Sequence, residues 1–246
     1  MKNKGTFAMR TFVAFTLALA AFATTAGARR SSTQSYSSRQ PARQQPAFDQ
    51  WSDDFSGAAL DETKWERFSF EGAGGGKVEL KDGEARIRSM NGSRSGIRSR
   101  QSFAAEKFSV EAKVARVGEQ ILLPGDKGSP LGFASLTILF DGSGRNRVEW
   151  ILTSEGTFEA WSVVDGRGER IDDRKLGTKL KNPVIAIVRR GDEFLFVLNA
   201  PDSPPEAAQV GLRKTIKNLP RNFHVMLYGF GSSENDWDDV RVVTLK

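Results

Sequence analysis

The chain has no cysteine and a single histidine in 246 residues. Without thiols there is no disulfide framework and no lipid-modified cysteine at a processed N-terminus. A folded exported domain must then be held by its core, with or without a metal ion. The one histidine, His224, has no HxxxH spacing or cysteine beside it, so a zinc site or a His-based triad lacks its usual members. In its apolar setting it is expected to be structural. No acidic residue precedes Asp49. No stretch carries an apolar stripe at helical spacing, and no period of about 20 to 50 residues repeats, which excludes solenoids and propellers.

What is present divides the chain. Lys2, Lys4 and Arg10 precede an uncharged apolar run from Thr11 to Ala23, and Ala26-Gly27-Ala28 follows with the small-x-small pattern of a cleavage site. The run is short of the roughly 20 residues a membrane-crossing helix needs. Residues 1–28 are therefore expected to be a signal peptide, and the protein secreted or periplasmic. Residues 29–47 read RRSSTQSYSSRQPARQQPA. They hold too few apolar groups to offset ordering entropy and are expected to form a disordered basic linker. Of the 36 basic residues seven precede Asp49, which leaves 29 against 30 acidic ones, a balance of about −1. The high isoelectric point thus belongs to the leader and linker. Nucleic acid is not an expected partner of the domain, whereas the linker can contact an anionic envelope surface.

Residues 48–246 read as one all-β domain. Lys77–Leu80 and Glu84–Arg88 alternate around Asp82-Gly83, a hairpin signal. Phe108–Val114 alternates at period two, and Phe133–Phe140, Arg147–Thr153 and Thr157–Val164 follow as strands. Val184–Val188 and Phe194–Leu198 flank a Gly191-Asp192 turn, and Phe223–Phe230 and Val240–Leu245 close the chain. Many short strands separated by turn residues predict a two-sheet antiparallel β-sandwich. Gly72–Gly76 precedes no helix, so it reads as a turn and not as a phosphate cradle.

Three segments in order resemble the concanavalin A-like jelly-roll superfamily of lectins, laminin G-like domains and laminarinase- or lichenase-type hydrolases. They are Asp54-Phe55-Ser56-Gly57 with Leu60-Asp61 and Lys64-Trp65; Ser95–Ser99 followed by Phe108–Lys113; and Val225–Gly231 followed by Trp237–Val242. The hydrolases of that fold carry E-x-D-x-x-E or E-x-D-x-E on one strand, which places nucleophile and acid on one face. In the matching strand Glu149 is present, but Ile151 and Thr153-Ser154 stand where the other carboxylates are needed. No catalytic residue is assigned. The resemblance also implies a structural calcium bound at Asp54, Gly83 and Asp238, through two backbone carbonyls and a carboxylate.

The hairpin 147–164 carries the binding expectation. If Ser154-Glu155-Gly156 is a three-residue loop with Gly156 in the left-handed region, Leu152 lies opposite Phe158. A two-residue turn would put Trp161 on the Trp150 face; the three-residue loop is the reading taken. Val148, Trp150, Leu152, Phe158 and Ala160 then face the core, while Glu149, Ile151, Thr153, Glu159, Trp161 and Val163 face outward. An indole beside carboxylates suits sugars: the ring stacks on C–H faces and the carboxylates accept hydroxyl bonds. Trp161, Glu149 and Glu159 are the candidate residues for a polysaccharide or glycan partner on the concave sheet of a non-catalytic lectin-like domain. The rival readings are a glycoside hydrolase using Glu149 and Glu159, and an envelope structural module.

Overall fold

The computed structural model describes residues 48–71, 76–89, 94–119, 131–175, 180–199, 209–230 and 233–245. The expected leader and linker, residues 72–75 and most of the 118–132 connection lie outside the described residues. The strands in chain order are β1 (Phe48–Asp53), β2 (Trp65–Glu71), β3 (Lys77–Lys81), β4 (Glu84–Arg88), β5 (Arg94–Ser99), β6 (Phe103–Ala104), β7 (Lys107–Val117) and β8 (Phe133–Leu139). They continue as β9 (Arg147–Thr153), β10 (Thr157–Val164), β11 (Arg167–Lys175), β12 (Val184–Arg190), β13 (Glu193–Asn199), β14 (Gln209–Thr215), β15 (Asn222–Phe230) and β16 (Glu234–Leu245). Among the described residues there is no helix.

Two eight-stranded antiparallel sheets result. The front sheet runs β11-β10-β9-β8-β15-β5-β2, with β6 pairing β15; the back sheet runs β14-β13-β12-β7-β16-β4-β3, with β1 pairing β16. The sandwich expected from period-two alternation is what forms. Turn chemistry sets the registers. Asp82 and Gly83 both have positive φ, 57° and 79°, which gives the two-residue turn that pairs Lys81 with Glu84. Gly156 has φ 76° and Leu152 lies opposite Phe158, the predicted register of the β9–β10 hairpin.

Alternate side chains of the two sheets meet in a core whose largest members, Trp65, Trp150, Trp237, Phe158, Phe194, Phe196 and Phe223, are fully buried. Trp150 of the front sheet stacks on Phe158 at 5.3 Å and reaches Phe196 of the back sheet at 5.8 Å. Its indole N–H donates to the Val197 carbonyl at 2.8 Å, so this ring joins the sheets without leaving a buried donor unpaired.

Two differences from the sequence reading have physical causes. β11 is an added strand: in RGERIDDRK only Ile171 is half-buried and the rest is exposed, so there is no apolar alternation to read. β16 starts at Glu234 and not at Val240. Its first half carries Asp236 and Asp238, poor strand residues by propensity. Asp236 accepts charge-assisted bonds from Arg86 (2.8 Å) and Arg116 (2.7 Å), and Asp238 from Lys113 (3.0 Å). Cross-strand ion pairs stabilise what the side chains alone disfavour.

Candidate functional site

The outer face of the front sheet holds a cavity of about 290 Å³. The β9–β10 register brings Trp161 opposite Glu149 and Glu159 opposite Ile151, and all four side chains line that cavity. The three residues expected to meet a sugar are thus together. Their inward neighbours Val148, Trp150, Leu152, Phe158 and Ala160 are in the core, as alternation requires.

Glu149 forms the floor. It is 2 % exposed, and its Oε1 accepts Arg147 Nε at 2.6 Å, the Tyr228 hydroxyl at 3.0 Å and Arg94 Nη1 at 3.2 Å. A carboxylate this deep persists because charged and neutral donors satisfy its oxygens. Arg147 is itself fixed by a bond to the Gly144 carbonyl. Burial, and after it the adjacent Glu149 charge, pushes the Tyr228 phenol above the ordinary tyrosine range. The buried hydroxyls of Ser135 and Thr137 bond each other at 3.1 Å beside this network. Next to Tyr228 across the sheet, Gly96 leaves bare backbone: a Cβ there would lie 1.9 Å from the Leu227 carbonyl oxygen.

Trp161 forms one wall. It is half-buried, and its indole N–H donates to Glu159 Oε2 at 2.9 Å, which fixes the ring's orientation. A bulge between Ala160 and Trp161 shifts the pairing with β11, so that Trp161 lies opposite Arg170 while Ala160 lies opposite Asp172. The extra residue, Ile171, belongs to β11, so the bulge redirects β11 while Trp161 keeps its pairing with Glu149. Phe133, Phe230 and Arg94 stand at the other end.

Sequence reasoning found Glu149, Glu159 and Trp161 and missed Arg94, Arg147, Ser135, Tyr228 and Phe230. Arg147 was accessible, since it lies two residues before Glu149 and so shares its face. Tyr228 and Arg94 belong to strands far away in sequence, and only the β8–β15–β5 order brings them beside β9.

No family model matches the chain, and no curated protein sequence matches it. Solved structures do. The carbohydrate-binding module CBM66 from Bacillus subtilis aligns with TM-score 0.50 at 14% identity, over 73% of this chain and 95% of that one. A prokaryotic β-1,3-1,4-glucanase (lichenase) from a mouse hindgut metagenome aligns at 0.51 and 14%, over 78% and 98%. Basic winged bean lectin with Tn-antigen aligns at 0.52 and 8%, over 81% and 99%. The fold is the concanavalin A-like jelly roll. At these identities the likeness concerns the jelly roll alone, and a binding module, a hydrolase and a lectin all share it.

In this jelly roll the residues of the expected calcium site lie along β16 of the back sheet, where its pairing passes from β4 to β1. Asp54 follows Asp53, which pairs with Val240, and Gly83 lies two residues before Ala85, which pairs with Trp237. Asp238, 4 % exposed, stands between those two positions on β16. Its Oδ2 takes Lys113 Nζ at 3.0 Å and its Oδ1 takes the Asp239 N–H at 2.8 Å. The exposed Asp54 carboxylate is held below its ordinary range by the Ser56 side chain and N–H. The oxygen donors suit a hard cation, but calcium at Asp238 would have to displace the Lys113 ammonium. Among the described residues no cluster of three His, Cys, Asp or Glu side chains could hold a metal, and no helix is long and apolar enough to cross a membrane.

Proposed function

We propose that the protein is an exported, non-catalytic jelly roll that binds a glycan on the outer face of its front sheet. Trp161 provides the stacking surface and Glu159 the hydroxyl acceptor at its edge, over the floor built around Glu149. The observation that carries this reading is the indole pinned by Glu159 at the wall of a cavity whose base is polar and already hydrogen-bonded. Apolar C–H faces of a sugar are complementary to the ring, and its hydroxyls to the polar base. A carbohydrate-binding module and a lectin among the structural neighbours support the assignment, and the residue 1–28 pattern supports export.

The hydrolase reading with Glu149 and Glu159 is less favoured by the same geometry. A nucleophile or acid must reach the substrate, whereas the Glu149 carboxylate is sealed and its Oε1 is committed to three donors. Ile151 and Thr153, on the same face, supply no second carboxylate. We also propose that calcium bound at Asp54, Gly83 and Asp238 ties the first strand to the last, and that the basic linker touches an anionic envelope surface.

The test is a polysaccharide and oligosaccharide array probed with protein from the exported fraction, where an N-terminus at Arg29 checks the leader. Binding is expected, and Trp161→Ala is expected to weaken it about tenfold or more with unfolding unchanged. Retained binding in that variant overturns the site. Turnover of an arrayed polysaccharide, abolished by Glu149→Gln, would instead support the enzyme.

A further inference from the structure

Trp161 explains one end of the cavity. At the other stands Phe230, 37 % exposed and the one large apolar side chain that is exposed among the described residues. Single exposed apolar residues need no explanation when they move freely. This ring does not. The Arg94 guanidinium lies over it at 5.5 Å from the centroid, and Phe133 packs against it edge to face at 6.2 Å and 72°. All three residues line the same cavity as Trp161. Holding an aromatic side chain still while more than a third of it stays in water costs rotamer freedom. A rigid, presented ring is what stacking on a ligand requires, because its ordering is complete before binding.

The registers give the distance between the two rings. Trp161 pairs with Glu149, Glu149 with Thr137, and Thr137 with Met226. Trp161 and Met226 are therefore three strand spacings apart, about 14 Å. Phe230 lies four residues farther along β15 than Met226, again about 14 Å. The Cα atoms of Trp161 and Phe230 are thus roughly 20 Å apart, on a diagonal over Ser135 and the Glu149–Tyr228 pair. A single pyranose ring cannot touch both.

On the basis of the glycan-binding reading, we infer that the ligand is an oligosaccharide segment of about three linked rings lying obliquely across β10, β9, β8 and β15. Trp161 and Phe230 stack on different rings of it. The small side chain of Ser135 on β8 keeps the middle of the diagonal low, so the chain can pass over the polar floor.

The experiment is calorimetry with gluco-, xylo-, galacto-, manno- and fructo-oligosaccharides of graded length, from monosaccharide upward. It uses the wild-type protein, Phe230→Ala and Trp161→Ala, with circular dichroism to verify folding. For the series that binds, wild-type affinity is expected to rise about tenfold or more between one ring and three, and then level off. Phe230→Ala should lose that gain with length, while Trp161→Ala weakens every length. Affinity independent of length, or Phe230→Ala matching wild type throughout while Trp161→Ala still weakens binding, overturns the second platform and leaves sugar binding standing. No binding to any series overturns both. A Phe230→Tyr variant that keeps the length dependence supports a stacking role over a packing one.

Discussion

Replacing Tyr228 by Phe removes one oxygen and leaves the ring, so it isolates the hydroxyl's contribution to the Glu149 network. The hydroxyl donates to a carboxylate that is 2 % exposed. Hydrogen bonds to charged groups are worth about 1.5–3 kcal/mol net. Glu149 retains Arg147 at 2.6 Å and Arg94 at 3.2 Å, so it is not orphaned, and the cost belongs in the lower half of that range. For a domain of this size each kcal/mol moves the midpoint by about 2–4 °C, which gives a decrease of about 3–8 °C. Glu149→Gln should cost more, about 3–5 kcal/mol, because two guanidiniums then lose their counter-charge in a buried site. Calorimetric melts and urea titrations of the three proteins measure both changes. A Tyr228→Phe midpoint within about 1 °C of wild type would refute the claim that this hydroxyl helps to hold the carboxylate. The network also makes an alkaline prediction. The raised phenol stays protonated in the folded chain where an unfolded tyrosine ionises, near pH 10. Its contribution is intact below that pH and is lost as pH rises above it, so wild-type stability should fall there and Tyr228→Phe should flatten the fall.

The acid limit should be set in part by Asp236, whose carboxyl burial pushes upward but which Arg86 and Arg116 hold below the ordinary range. Its contribution is present above the unfolded value, near pH 4, and is lost as pH falls below it; urea midpoints of wild type and Asp236→Asn should converge under acid. Calcium, if it binds at Asp238, should raise the melting midpoint reversibly with chelator, and Asp238→Asn should abolish the shift. A midpoint indifferent to calcium removes that site.

The two-sheet architecture was legible because most strands bury one face, and alternation records burial directly. The same logic carried the β9–β10 register to Glu149, Glu159 and Trp161, since a glycine at 156 dictates the loop and the loop dictates who faces whom. Two kinds of residue escaped. β11 half-buries only Ile171, and the first half of β16 buries Trp237 between ion-paired aspartates, so neither leaves an apolar alternation. Arg94, Tyr228 and Phe230 enter the site through strand order across the sheet, which is a long-range property with no local signature. Glu149 shows the subtler case. Its type and face were readable, but not that two arginines and a tyrosine would claim it.

Among the described residues β11 is the outermost strand of the front sheet, and apart from Gly168 and Ile171 its residues are all charged: Arg167, Glu169, Arg170, Asp172, Asp173, Arg174 and Lys175. A neighbouring chain that tried to extend the sheet there would have to match each of those charges while giving up their hydration. The border therefore works as insulation: molecules can crowd together without zipping their sheets into one another.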